Sequence, residues 1–284
     1  MSGRSDLLLA VAGMCALLPA GCGGKGPVRV IACVGDSITQ GIVTPFVHDP
    51  SGGFPGRLQR LLGDRARVLN HGVGGSTAAL WLLDPATVEG ARVWKTFTAA
   101  MPDRPRDARP SGGTIVSALL GPERPDVVVL LLGVNDVGAL KTEGPPIVET
   151  VAQRVEDVYR QADAVAGVVL IGTLLPNARD PAELVEGVSA RIRAAHPDFL
   201  PLGERFTAAG GTRLLADVIH PSEEGHELLA TILADELVRR GYVPPAPHAS
   251  LFSRPVRRRT AAACLRPGGE LAMRDFPAAS SVSR

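Results

Sequence analysis

Four short clusters of the chain hold residue types that could carry out chemistry. They lie at residues 35–39, 70–77, 133–136 and 217–221. The first contains Ser37, and the last contains Asp217 and His220, three residues apart. A serine hydroxyl becomes a nucleophile when a neutral histidine accepts its proton, and a carboxylate holds that imidazole in the correct tautomer. We therefore predict acyl transfer, with Ser37 as the nucleophile, His220 as the base and Asp217 as the orienting acid.

Acyl transfer also needs hydrogen-bond donors for the negative charge that develops on the carbonyl oxygen. The backbone N–H of Ser37, on a predicted strand-to-helix turn, is one such donor. Gly75 offers a second N–H with no side chain to keep substrate away, and Asn135 offers an amide NH₂ that donates without adding charge. The predicted oxyanion hole therefore consists of Ser37, Gly75 and Asn135.

The clusters follow predicted strands, which is what would bring them together. Apolar, β-branched runs predict strands at residues 28–34, 68–69, 127–132 and 168–171. Apolar residues at helical spacing predict helices at residues 55–62, 147–164 and 222–240, and Asp180 is expected to cap a further helix. Alternating strands and helices predict an α/β fold with a doubly wound parallel sheet, which binds ligands beyond the carboxyl ends of its strands.

Taken in order, the four blocks resemble those of the SGNH, or GDSL, hydrolase family. Ser37 stands in Gly-Asp-Ser, Gly75 in Gly-Gly-Ser-Thr, Asn135 in Gly-Val-Asn-Asp and His220 in Asp-Val-Ile-His, and the Asp-x-x-His spacing carries Asp217 over as the acid. The resemblance covers residues 28–240. It implies a flavodoxin-like three-layer α/β/α sandwich, a serine mechanism without metal or cofactor, and hydrolysis of acyl esters or thioesters.

Each block also has a simpler interpretation when taken alone. Gly-Asp-Ser is common in ordinary turns, and Asn-Asp after a strand is common in caps. Gly74 adjoins Gly75 and is the alternative oxyanion donor, although Gly-x-Thr is the usual surrounding in the family. Residues 72–77 lack the lysine of a P-loop. Thr39 replaces the second glycine of the G-x-S-x-G elbow, which disfavours the α/β-hydrolase fold.

Other polar residues near these blocks have lesser expected roles. Asp36 and Asp136 are predicted to organise loops as hydrogen-bond acceptors. His71 either lines the pocket or packs near it, and His226 is predicted to be a surface or rim residue rather than the base.

The chain is predicted to have one hydrolase domain at residues 27–243, with an insertion at residues 82–125. The insertion is rich in Pro, Arg, Asp and Gly, and a short helix is expected at residues 93–100. Residues 244–284 are rich in Pro, Ala, Arg and Ser, which predicts a disordered, solvated tail.

Residues 1–22 predict a signal peptide. Arg4 supplies a positive charge, and residues 7–18 form an apolar run that is too short to span a bilayer. Small residues before Cys22 resemble a bacterial lipoprotein processing site, in which Cys22 would be lipidated and would tether the chain to a membrane. Simple secretion and a segment that is not a signal are the alternatives. We expect an exported protein, either in the cell envelope or secreted.

Composition argues against several other classes of protein. The formal net charge is +1 and aromatic residues make up 4% of the chain, so no basic field or stacking surface indicates a nucleic-acid partner. No C-x-x-C or H-E-x-x-H spacing indicates zinc, and we expect no metal or cofactor. Cys33 is predicted to be a buried thiol, and a disulfide with Cys264 is not favoured. The sequence does not indicate an oligomeric state.

Several substrate classes fit these blocks. Residues 35–41 and 54–58 resemble bacterial carbohydrate acetylesterases, so the first expectation is removal of short acyl groups, such as acetyl, from carbohydrate or small esters. A short-chain aryl or alkyl esterase, a lysophospholipase and a thioesterase are alternatives. A catalytically silent glycan-binding relative is disfavoured, because it would not need all the catalytic residues.

Overall fold

The structure is a computed structural model that describes residues 28–103, 113–141 and 146–246. The predicted signal peptide with Cys22 lies outside these ranges, as do residues 247–284 of the predicted tail with Cys264. Within the described ranges, no helix is both long and apolar enough to cross a membrane.

A four-stranded parallel sheet forms the centre of the described chain. Its strands, in the spatial order β4-β1-β5-β6, are β1 (Arg29–Gly35), β4 (Ala66–Gly72), β5 (Val127–Leu131) and β6 (Val169–Ile171). Gly35, the last residue of β1, pairs with Gly72 and with Leu131. Because three strands end at the same level, the segments that follow them meet at one edge of the sheet. A separate antiparallel hairpin contains β2 (Ile42–Thr44) and β3 (Val47–His48).

Helices cover both faces of the sheet and complete a three-layer α/β/α sandwich, which confirms the predicted fold. One face carries α2 (Gly53–Leu62), α9 (Leu202–Ala209) and α10 (Glu223–Arg239). The other face carries α3 (Ala78–Trp81), α4 (Val88–Ala100), α5 (Ile115–Glu123), α7 (Ile147–Asp163) and α8 (Ala182–Ala195). Two short helices, α1 (Ser37–Gln40) and α6 (Val134–Leu140), begin just beyond β1 and β5.

Successive side chains of each strand point to opposite faces of the sheet, so a separate hydrophobic core lies on each face. In β1, Ile31 and Cys33 pack under the layer of α2, α9 and α10, while Ala32 and Val34 pack under the layer that contains α3, α4, α5, α7 and α8. All four side chains are fully buried, as expected of a parallel sheet that is covered on both faces. Cys33 is a free buried thiol whose pKa is raised by burial, so it is unreactive at neutral pH.

Two local features differ from the sequence expectations. The helix expected at residues 93–100 is longer and begins at Val88, where Thr87 caps it by accepting from the backbone N–H of Gly90. Asp180 does not cap α8. Its carboxylate is fully buried and bonds to Arg179 and Lys141. A buried carboxylate without a cationic partner costs more free energy than a helix N-terminus without a side-chain cap.

Candidate active site

Ser37 lies at the turn between β1 and α1. Asp36 caps the helix by accepting from the backbone N–H of Ile38 at 2.9 Å, and this contact fixes the sharp change of direction. Ser37 is the first residue of the helix, so its backbone N–H has no partner within the helix. The side chain is nearly buried but reaches the open edge of the sheet.

Three side chains form a continuous hydrogen-bonded row at this edge. The Nε2 atom of His220 lies 3.0 Å from the Oγ atom of Ser37, although 183 positions separate the two residues. On the other side of the ring, Nδ1 lies 2.7 Å from Oδ2 of Asp217. With Nδ1 protonated, Nε2 presents its lone pair to the serine hydroxyl. The geometry is that of a serine, a base and an orienting acid.

The loop before α10 holds the carboxylate of Asp217 in place. Its Oδ1 atom accepts from the backbone N–H groups of Ile219 at 2.8 Å and His220 at 2.7 Å. Burial alone would raise the pKa of Asp217, but the hydrogen bonds from the His220 ring and from these two backbone groups outweigh it and lower that pKa. The carboxylate is therefore ionised at neutral pH and keeps the imidazole oriented.

The glycine loop at residues 73–77 lies beside Ser37. The backbone N–H of Val73 donates to the carbonyl of Gly35, and a Cβ atom on Gly74 would lie 3.9 Å from Cβ of Ser37. The N–H of Gly74 is occupied, because it donates to Oε1 of Gln40 at 2.9 Å. Gly75 has φ +73° and open space where a Cβ would point. Of the two glycines, Gly75 is therefore the one free to present its N–H to a ligand.

Asn135 lies in the first turn of α6 and faces the same loop. Its Nδ2 atom donates to the carbonyl of Ser76 at 3.0 Å, which places the amide group against the glycine loop. An amide nitrogen has two hydrogens, so one remains available for another acceptor. The structure thus brings the predicted site residues together at one edge of the sheet: Ser37, Gly75, Asn135, Asp217 and His220.

Arg179 is a polar contact of this site that the sequence did not reveal. Its guanidinium donates to the carbonyl of Val134 at 2.6 Å and to Oδ1 of Asn135 at 3.5 Å. Asp180 anchors the same group at 2.7 Å. Gly138 gives it room, because a Cβ there would lie 2.6 Å from Nη2. The only sequence signal was the presence of three polar residues among positions 177–180, shortly after a strand.

Asp36 and Asp136, which adjoin Ser37 and Asn135, accept hydrogen bonds from backbone N–H groups, as predicted. Asp136 accepts from the backbone N–H of Ala78 at 2.8 Å and so ties α6 to α3. Burial raises the pKa of Asp36 to about 7, with a smaller contribution from Asp136. Burial also raises the pKa of Asp136. Among the described contacts, neither carboxylate is hydrogen-bonded to the side chain of Ser37 or to that of His220.

The other two histidines near the motifs do not join the site. His71 is fully buried, and its Nε2 atom pairs with Glu123 at 2.8 Å, away from Ser37. His226 was predicted to be a surface or rim residue, and that prediction is wrong because the ring is fully buried under the hairpin, with Nε2 3.3 Å from the carbonyl of Ile42. Burial lowers the pKa of His226 to about 4, so it is neutral at neutral pH.

Comparison with known proteins agrees with this geometry. Residues 33–228 match the model of the GDSL-like Lipase/Acylhydrolase family, which is more than half of the 284 residues. The chain belongs to this family and is a carboxylic ester hydrolase. The resemblance identified in the sequence is therefore confirmed.

Solved structures of low sequence identity share the fold. A lipase/acylhydrolase from Enterococcus faecalis is 21% identical with a TM-score of 0.54, covering 78% of this chain and 100% of its own. A carbohydrate acetylesterase, Est24, from Sinorhizobium meliloti is 21% identical with a TM-score of 0.51, covering 75% and 99%. A putative arylesterase from Agrobacterium tumefaciens is 18% identical with a TM-score of 0.51, covering 75% and 99%. A search of curated protein sequences found no match.

Proposed function

We propose that Ser37 is the nucleophile of a two-step ester hydrolysis. The observation that carries the proposal is the 3.0 Å contact between Oγ of Ser37 and Nε2 of His220, continued by the 2.7 Å contact from Nδ1 to Asp217. Both distances fall within hydrogen-bond range, so the proton path needs no rearrangement.

In the first step, Oγ of Ser37 attacks the ester carbonyl while His220 takes its proton. His220 then gives that proton to the leaving alcohol as the ester C–O bond breaks, and the acyl group stays on Ser37. In the second step, His220 takes a proton from water, the resulting hydroxide attacks the acyl-enzyme, and the proton returns to Ser37 as the acid leaves. Asp217 stabilises the imidazolium in both steps without taking up its proton.

Three donors stabilise the oxyanion in this proposal. They are the backbone N–H groups of Ser37 and Gly75 and the side-chain amide of Asn135. Support comes from the occupied N–H of Gly74 and from the contact of Asn135 with the glycine loop. Fixed donors of this kind contribute more than in water, because they are already oriented when charge develops.

For substrate, we propose removal of a short acyl group, such as acetyl, from a carbohydrate or a small ester. The motifs at residues 35–41 and 54–58 support a carbohydrate, and a carbohydrate acetylesterase has the same fold. A lysophospholipase or thioesterase would instead need room for a long acyl chain, and a silent glycan-binding relative would show no turnover.

Labelling with a fluorophosphonate probe tests the nucleophile. The purified protein should be modified at Ser37, whereas Ser37→Ala should not be labelled and should lose turnover of p-nitrophenyl acetate by several orders of magnitude. Ser51→Ala is the matched control and should behave as wild type. Labelling of Ser37→Ala at the wild-type rate would remove the proposal.

A panel of esters tests the substrate class. We expect the highest kcat/KM for acetate among p-nitrophenyl esters of increasing chain length, with release of acetate from acetylated xylan. A rise of kcat/KM with chain length would favour the lysophospholipase or thioesterase alternative. No hydrolysis of any ester, together with binding of the polysaccharide, would favour the silent relative.

A further inference from the structure

A cavity of about 340 Å³ opens beside the proposed oxyanion hole. Gly75 and Ser76 form one wall, and α4 forms the opposite wall with Arg92 and Thr96. The volume is within the range of pockets that hold small ligands. Another cavity of about 340 Å³, between α8 and α9, has none of the proposed catalytic residues in its lining. Of these two cavities, the first is therefore the one placed to hold part of an ester bound at Ser37.

The floor of this cavity is apolar and firmly packed. Val73 and Phe97 are almost fully buried, and Val93 is 9% exposed. Phe97 packs edge-on against Trp81, with ring centroids 4.9 Å apart. Such a surface can contact the C–H groups of a ring without losing hydrogen bonds.

Gln40 fixes the two walls relative to each other. Its Oε1 atom accepts from the N–H of Gly74 at 2.9 Å, and its Nε2 atom donates to the carbonyl of Ala100, the last residue of α4, at 2.9 Å. One side chain thus joins the nucleophile helix, the glycine loop and α4. The cavity is therefore held in a constant position next to Gly75.

Arg92 places a cation at this cavity. Among the described residues, its guanidinium has no carboxylate partner and no hydrogen bond, and the side chain is exposed. The neighbouring groups in the lining, Gly75 and Thr96, carry no negative charge. An anion bound in the cavity would find a guanidinium that can donate two parallel hydrogen bonds.

We propose that this cavity binds the alcohol part of the ester and that this part is a ring bearing a carboxylate, which pairs with Arg92. The inference rests on the proposed function, because a short acyl group leaves the bulk of the substrate on the alcohol side. An acetylated acidic sugar fits this description: the ring faces Val93 and Phe97, and the carboxylate faces Arg92.

A pair of acetate esters tests the proposal. The probes are 3-acetoxybenzoate, whose leaving group carries a carboxylate, and phenyl acetate, which lacks it. The readout is the ratio of kcat/KM for the charged probe to that for the neutral probe. We expect Arg92→Ala to lower this ratio about fivefold, as is typical of losing one partly exposed charge pair, and Arg92→Glu to lower it further. Arg92→Lys should keep part of the preference.

Arg67→Ala is the matched control. Arg67 is also exposed and without a described partner, but it lies near the start of β4, at the opposite edge of the sheet from Ser37. Its removal should leave the ratio at the wild-type value. Salt should lower the wild-type ratio and leave that of Arg92→Ala nearly constant. An equal ratio in wild type, Arg92→Ala and Arg67→Ala would overturn the proposal.

A binding experiment separates this proposal from the proposed function. Titration calorimetry of 3-acetoxybenzoate with Ser37→Ala measures binding without turnover, and we expect binding that is weakened by adding Arg92→Ala. Binding that depends on Arg92 in a wild-type protein that hydrolyses neither probe would contradict only the proposed function. Hydrolysis of both probes with no dependence on Arg92 would contradict only the assignment of the cavity.

Discussion

Replacement of Arg179 by Met is expected to lower kcat about tenfold with little change in KM. Arg179 contacts the carbonyl of Val134 at 2.6 Å and Oδ1 of Asn135 at 3.5 Å, so we expect it to act by positioning the amide of Asn135. Removing an oxyanion donor itself costs about 10²–10³ in kcat. Loss of orientation costs less than loss of the donor. One charge-assisted hydrogen bond contributes about 1.5–3 kcal/mol, and the lower end of that range corresponds to the expected tenfold decrease.

A double-mutant cycle with Asn135→Ala tests this reasoning. If Arg179 acts through the amide, Arg179→Met should cause no further loss of kcat once Asn135 is absent. Gly138→Ala offers an independent perturbation, because its Cβ would lie 2.6 Å from Nη2 and must displace the guanidinium. This substitution should also lower kcat, although alanine is the better helix former.

Steady-state kinetics with p-nitrophenyl acetate is the assay, and Arg191→Met is the control. Arg191 forms an exposed ion pair with Glu149 at 2.6 Å, so its loss should leave kcat at the wild-type value. Equal, additive losses from Arg179→Met in the presence and absence of Asn135 would refute the positioning role.

Three other expectations follow from the described contacts and the sequence. Asp217→Asn should lower kcat by about 10³–10⁴, because the asparagine cannot hold His220 in the tautomer that accepts from serine, and stopped assays at neutral pH would measure this. Asp36→Asn should remove a pH dependence of the free energy of unfolding. The pKa of Asp36 in the folded protein is about 7, above its ordinary value, so the wild type should lose stability relative to the variant as pH rises from about 4 to 7. Urea unfolding at a series of pH values would measure this loss. Because Cys22 is predicted to be lipidated, Cys22→Ser should move the protein from the membrane fraction to the soluble fraction, and fractionation with immunoblotting would measure this shift.

The strands and the residues that follow them could be predicted because their local signals are strong. The uniformly apolar run at residues 127–132 predicts a buried strand or a buried helix segment. Its short length and its β-branched content favour the strand. The short Asp-x-x-His loop fixes the separation of Asp217 and His220 locally. The contact of His220 with Ser37, in contrast, depends on how 183 intervening positions fold, and only the block order indicated it.

The sequence did not predict the roles of side chains whose partners are set by the tertiary fold. Asp180 stands before Pro-Ala-Glu and has the pattern of a cap, but burial and the neighbouring Arg179 decide its contacts. The place of His226 in the last helix, two turns past His220, suggested a surface or rim residue. The side chain instead shares the inward face of α10 with Leu229, Leu233 and Leu237. Helical spacing alone would have placed it in the core.

The proposal that Ser37 carries the acyl group is tested most directly by trapping the intermediate. The protein would be quenched in acid during turnover of p-nitrophenyl acetate, digested, and analysed by tandem mass spectrometry. We predict one acetyl group on Ser37, and none in the same peptide from Ser37→Ala. An acetyl group on another residue, or steady turnover by Ser37→Ala at the wild-type rate, would contradict the mechanism.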